Sequence, residues 1–205
     1  MTTSSTTSTV PAIDPARAAL LLMDFQPAVL AAVPEGEQAL ERAHLALAWA
    51  REHNVQVAHV RVALAEEDRA AVPAHNKTFA AAASQGWLDD GLAHTDTHES
   101  LVAASREDDI RVRKIRIGAF ASATDLRALL RERGIDTLVL AGLSTGGVVL
   151  STVRQAADED FRILVLEDAT GDPDAEVHRV LTQKLFPQQA EVIVVKELEA
   201  LTQAS

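Results

Sequence analysis

The sequence predicts an α/β fold: a three-layer α/β/α arrangement around a six-stranded parallel sheet of Rossmann-like form. Two observations carry this expectation. Aliphatic runs of strand length recur along the chain in the form of strands covered on both faces. They alternate with stretches whose apolar residues repeat at helical spacing, and strand–helix alternation implies right-handed crossovers between parallel neighbours.

Taken in order, residues 1–14 begin with a Ser/Thr tract that has nothing to bury and reads as a disordered tail. Residues 15–205 are then expected to form a single domain, a size at which one large core can be buried. AALLLM (Ala18–Met23) is the first strand, ending at Asp24. From Glu37 to His53, Leu40, Ala43, Leu47 and Ala50 recur at helix spacing against Glu41, Arg42 and Arg51. VQVAHVRV (Val55–Val62) alternates and is rich in Val, as strands are. From Ala63 to about Glu107, mixed Ala, His, Asp and Gly predict loop and short helix. IRVRK (Ile110–Lys114) is the third strand and Thr124–Arg133 a helix stopped by Gly134. TLVLAGL (Thr137–Leu143) is the fourth strand, followed by a helix from about Gly146 to Asp158. FRILVLE (Phe161–Glu167), a helix over Asp174–Lys184, and EVIVVK (Glu191–Lys196) complete the alternation.

Composition narrows the function. The 205 residues carry a net charge of -11, so the far field repels phosphate backbones and acidic membrane surfaces. Aromatics are only 3%, too few for base-stacking platforms, and a small-molecule partner is expected rather than nucleic acid. No apolar run approaches the roughly 20 residues that span a bilayer, and the N-terminus lacks the features of a signal peptide, so a cytoplasmic location is expected. The absence of cysteine removes thiolate metal sites and any thiol nucleophile.

Ligands of open parallel sheets bind outside the carboxyl ends of the strands. Asp24 after the first strand, Lys114 at the end of the third, and the turn GLSTGGVV (Gly142–Val149) after the fourth are the suspects. A carboxylate after an apolar run sits in a poorly hydrated place, and its pKa rises unless a cation compensates, a role open to Lys114. The plainer reading makes Asp24 a helix cap and Lys114 a solvated strand end. Gly142, Gly146 and Gly147 cluster in a chain of 9 glycines, where bare N–H groups can face an oxyanion or simply make a tight turn.

LLLMDFQPAV (Leu20–Val29), KIRIGAF (Lys114–Phe120), LVLAGLSTGGVVLSTVRQAAD (Leu138–Asp158) and VLEDATGDPDAEVH (Val165–His178) together resemble the isochorismatase-like hydrolases. That superfamily also holds nicotinamidases, N-carbamoyl amidohydrolases and other cysteine hydrolases. The resemblance spans about Arg17 to Lys196 and implies the same six-stranded parallel sheet. It implies a catalytic Asp, Lys and Cys, which fall on Asp24, Lys114 and Val148, so the nucleophile is missing. Without it no thioester forms. The isochorismatases proper also lack the Cys, keep the Asp and Lys, and cleave a vinyl ether with no covalent intermediate; they generally carry Gly where this chain has Val148. The resemblance further implies oxyanion donors at the N–H groups of Ser144 and Val148, in the turn that includes Thr145, Gly146 and Gly147, and a non-proline cis peptide there.

Ser144, Thr145 and Ser151 are candidate replacement nucleophiles, although none has a His base beside it in sequence. Nicotinamidases hold zinc after the second strand, but here His59–Val62 lacks the acidic partner. His94, Asp96 and His98 lie in loop-like sequence and read as surface residues, so neither metal nor cofactor is expected. Phe25, Gln26, Trp87 and Phe120 are candidate pocket walls, with core packing the alternative for the aromatics, and Gln26 and Arg116 flank the motifs where a polar substrate would lie. The expectation is a small-molecule hydrolase acting without a thiol on an enol ether or small amide, with Asp24 as general acid or base beside Lys114. A non-catalytic binding protein of the same fold is the alternative, and the resemblance suggests a homodimer or larger homo-oligomer.

Overall fold

The computed structural model describes residues 10–121 and 124–202. Its strands are β1 Ala18–Met23, β2 Gln56–Val62, β3 Ile110–Lys114, β4 Thr137–Leu143, β5 Arg162–Gly171 and β6 Glu191–Ile193. They form one 6-stranded sheet in the order β3-β2-β1-β4-β5-β6, and every pairing is parallel. The helices are α1 Pro27–Leu30, α2 Gly36–Glu52, α3 Glu66–Ala70, α4 Ala80–Gln85, α5 Glu99–Ala103, α6 Leu126–Glu132, α7 Leu150–Ala157, α8 Ala175–Val180 and α9 Leu198–Thr202.

Every residue of β1 is buried because both sheet faces are covered. Ala18, Leu20 and Leu22 enter the core shared with α2, whose Ala39, Ala43, Ala46 and Ala50 present small side chains to the sheet. Ala19, Leu21 and Met23 enter the opposite core, with Leu126 and Leu130 of α6 and Val153 and Ala156 of α7. The chain builds outward from β1 through β2 to the edge strand β3, then returns to place β4 against the free side of β1. The strand order therefore reverses between β1 and β4, the point at which such sheets open a crevice at their carboxyl ends.

Several boundaries differ from expectation. Residues 1–9 of the expected tail lie outside the described residues, but the remainder of it is not loose. Ile13 is buried and donates its N–H to the Leu201 carbonyl at 2.9 Å, and Arg162 donates to the Ala12 carbonyl at 2.7 Å. The apolar Val10 and Ile13 provide the burial that the Ser/Thr residues before them cannot. β5 runs on to Gly171, because Thr170 and Gly171 pair with Gly142 and Leu143 beyond an irregularity in the ladder. β6 ends early at Ile193, and the Val195 N–H is taken by the Asp168 carboxylate at 2.9 Å. The weakly patterned middle of the chain forms α3, α4, α5 and a 3-10 turn at Ala93–Thr95.

Candidate active site

Asp24 sits one residue past β1, at the reversal point. Its backbone has φ 57, a left-handed conformation that Asp and Asn adopt more readily than other residues with a Cβ. The N–H of Asp24 donates to the Val60 carbonyl at 2.8 Å, so β2 fixes the turn. Lys114, at the end of β3, reaches back past β2 and donates from Nζ to Asp24 Oδ2 at 2.7 Å and to the Arg116 carbonyl at 3.3 Å. Asp24 is 5% exposed and Lys114 1%, and Asp24 Oδ1 has no hydrogen-bond partner. Burial raises the Asp24 pKa above its ordinary value, because desolvation of the carboxylate outweighs the attraction and hydrogen bond of Lys114. The tension between these two effects, visible in the sequence, resolves in favour of burial.

The turn after β4 faces this pair across the β1/β4 register, in which Met23 lies opposite Gly142. A Cβ at Gly142 would stand 2.7 Å from the Met23 carbonyl oxygen, so glycine permits the close approach of the two strands. The Leu143–Ser144 peptide is cis, as the family resemblance implied. A π-helical turn, Thr145–Val149, then leads into α7. Val148 is 2% exposed and packs with the α6/α7 core, so an apolar side chain fills the position at which the resemblance expects a thiol. The Gly146 N–H is already occupied by Asp172 Oδ2 at 2.7 Å. It is therefore not available to an anionic ligand in this arrangement. Gly147 donates to the Ser144 carbonyl at 3.2 Å.

Thr145 acquires the imidazole that no neighbour in sequence supplies. Its Oγ1 lies 2.8 Å from His178 Nδ1, brought in by α8, which Asp174 caps by accepting from the N–H groups of Glu176 and Val177. Thr145 is fully buried, so this pair braces the turn and presents no hydroxyl to solvent. His178 and Asp172 are the residues that sequence reasoning missed. Both lie in the quoted segment Val165–His178, and the acidic Asp-Pro-Asp cap after β5 was the signal.

The expected pocket walls divide. Phe25 and Phe120 are core residues; Phe120 stacks on Phe161 with ring centroids 5.8 Å apart. Gln26 does not face a substrate: its Nε2 donates to the carbonyls of Val62 at 2.9 Å and Thr95 at 2.6 Å, and its Oε1 accepts from the Val62 N–H at 2.9 Å. An amide carries both donors and acceptors, and here all are matched to backbone. Trp87 is 60% exposed, since Gly86 ends α4 in the left-handed conformation and turns the following residue outward. Arg116 stacks its guanidinium over the Phe79 ring, 5.6 Å from the centroid. Asp96 lies 3.6 Å from Arg61, His94 contacts the Trp87 carbonyl, and His98 caps α5, so each has a local partner.

Comparison with known proteins agrees with the fold. The isochorismatase domain model matches residues 18–197. The isochorismatase family protein YwoC of Bacillus subtilis (strain 168) is 30% identical over 177 residues, covering 86% of this chain and 89% of that protein. YecD of Escherichia coli O157:H7, of the same family, is 40% identical over 101 residues, and the match spans 49% of this chain and only 53% of that protein. The crystal structure of a cysteine hydrolase from Pseudomonas syringae pv. phaseolicola 1448A has the same fold, with a TM-score of 0.81 at 22% identity over 95% of this chain and 99% of that one. Parallel sheet, reversal point and matched span lead to one conclusion: the chain belongs to the isochorismatase family of hydrolases.

Proposed function

We propose that the protein hydrolyses a small enol ether by acid catalysis, with Asp24 as the acid, Lys114 as its electrostatic partner and no covalent intermediate. The observation that carries this reading is the buried Asp24–Lys114 pair, whose second carboxyl oxygen, Oδ1, is left without a partner. Such an orphaned group costs about 1–3 kcal/mol, and buried pairs are often no more stable than apolar replacements, so the arrangement is better explained by chemistry than by stability.

Raised by burial, the Asp24 carboxyl holds a proton to higher pH than an exposed one would. Oδ1–H donates that proton to the terminal vinyl carbon as the C=C electron pair forms the new C–H bond. The oxocarbenium ion left behind is captured by water, whose proton returns to the Asp24 carboxylate, and the hemiketal collapses to a ketone and an alcohol. Lys114 stabilises the carboxylate between these two transfers. Val148 supplies no nucleophile, which fits a route that needs none.

A non-catalytic binding protein is the second reading, favoured by the burial of Val148 and Thr145 in the turn. Mass-spectrometric turnover of isochorismate, other enol ethers and small amides by the native protein and Asp24→Asn separates the two. Asn suits the left-handed backbone at this position, so the variant removes the acid and leaves the turn. Product from an enol ether with the native chain alone supports acid catalysis. Equal turnover by both proteins overturns the assignment of Asp24, and silence from both supports the binding reading.

A further inference from the structure

A cleft lies at the β3 edge of the sheet, on the face opposite the one from which the Lys114 side chain leaves its strand. Side chains alternate along a strand, so His59 and Arg61 of β2 share a face with their register partners Arg111 and Arg113 of β3, while Val60, Val62, Val112 and Lys114 turn the other way. With the Ala93–Thr95 turn and α5, these side chains border a cleft of about 1030 Å³ that includes neither Asp24, Lys114 nor Val148.

Its cations are not equivalent. Arg61 is neutralised by Asp90 at 2.8 Å and Arg113 by Asp68 at 2.5 Å. Arg111 donates instead to neutral acceptors, from Nη2 to the Arg106 carbonyl at 2.8 Å and Ser105 Oγ at 3.0 Å and from Nη1 to the Asp109 carbonyl at 3.4 Å, and these orient its guanidinium without compensating its charge. His98 is also held in place: its Nδ1 accepts from the Ser100 N–H at 3.3 Å. Ser100 Oγ, 2.8 Å from Nδ1, then donates to it and accepts from His44 Nε2 at 2.7 Å. This relay from α2 fixes the His98 ring, which borders the cleft.

We propose that this cleft binds a small monoanion, its carboxylate held by Arg111 and its apolar body laid along Val102 and Ala103 toward Pro27 and His98. Asp96 and Glu99 also border the cleft and oppose a second negative charge, so a monocarboxylate fits better than a polyanion. The guanidinium fork matches a planar carboxylate in geometry as well as in charge.

Isothermal titration of the full chain with benzoate tests this, with benzamide as the uncharged isostere and inorganic phosphate as the anion without an apolar body. The expected result is saturable benzoate binding at least tenfold stronger than that of either comparison. Arg111→Gln should weaken it at least tenfold, with Arg111→Lys in between, and Asp24→Asn should leave it unchanged. Arg111 is exposed, so these variants are expected to fold. Absence of saturable benzoate binding, equal binding of benzamide or phosphate, or an Arg111→Gln variant that binds normally would each overturn the proposal. So would sedimentation showing that Arg111→Gln changes the assembly of copies while benzoate does not bind.

Discussion

Replacing Lys114 by Met removes the cation beside Asp24 while keeping an unbranched side chain in the same slot. The variant therefore reads the ion pair more than the packing. In the native fold Nζ stands 2.7 Å from Asp24 Oδ2 with both groups almost wholly buried. Stripped of its partner, a charged Asp24 would cost about 3–5 kcal/mol. Taking up a proton limits that loss to about 1.4 kcal/mol for each pH unit above the carboxyl's folded pKa. Burial already raises that pKa and only Lys114 opposes it, so the variant's value lies higher still. For a carboxyl raised on folding, the folded state binds more protons than the unfolded one, and stability falls as pH rises from the ordinary carboxylate range through the folded pKa. The variant continues to fall where the native protein has levelled off. Urea unfolding followed by far-UV circular dichroism should show a smaller loss at about pH 5.5 than at about pH 8, rising toward about 3 kcal/mol at the higher value. A loss equal at both pH values, or below about 1 kcal/mol at the higher one, would refute the reasoning.

Two other substitutions test the frame around the site. Asp109, its side chain fully buried, receives both Arg51 Nη1 at 2.6 Å and Nη2 at 2.5 Å and the Arg106 N–H at 2.8 Å. Burial raises its carboxyl, but the hydrogen bonds of Arg51 and of the Arg106 N–H, with the charges of Arg51 and His59, prevail and hold it below its ordinary value. Asp109→Asn should cost about 3 kcal/mol at neutral pH in urea unfolding, and the difference from the native protein should shrink as pH falls through the ordinary carboxylate range toward the lowered native value, because the unfolded chain takes up the proton before the fold does. A gap that widens on acidification would contradict the sign. Gln26→Leu orphans the Val62 N–H and carbonyl and removes the shorter of the two hydrogen bonds to the Thr95 carbonyl, the other coming from Arg61 at 3.4 Å, so thermal unfolding should report a loss of about 2 kcal/mol or more, whereas a wall residue that only met substrate would leave stability unchanged.

The fold was legible because the strands announce themselves. AALLLM and TLVLAGL have no polar face, and only a central parallel strand can bury both sides of such runs. Asp24 and Lys114 were legible for the same reason, as polar residues placed where apolar runs end. What eluded the sequence depends on contacts between distant segments. Nothing near Thr145 announces His178, 33 residues away. Gln26 reads as a polar neighbour of the acid until Val62 and Thr95 are brought around it. Trp87 was a candidate wall because it lies in the weakly patterned segment that could fold over the site, yet it stands exposed beside the left-handed turn at Gly86. Periodicity locates elements and strand ends, whereas the partners of single side chains are set by packing among segments that carry weak patterns, such as residues 63–107.

If Asp24 delivers a proton to carbon, turnover of isochorismate in D2O will record it in the product. Asp24 Oδ1–H exchanges with solvent, so acid catalysis should place one deuterium on the former vinyl carbon of each ketone product, read by mass spectrometry at early times, and Asp24→Asn should form no product above the uncatalysed rate. Product from the native chain without deuterium at that carbon, or formed equally by Asp24→Asn, would contradict the account.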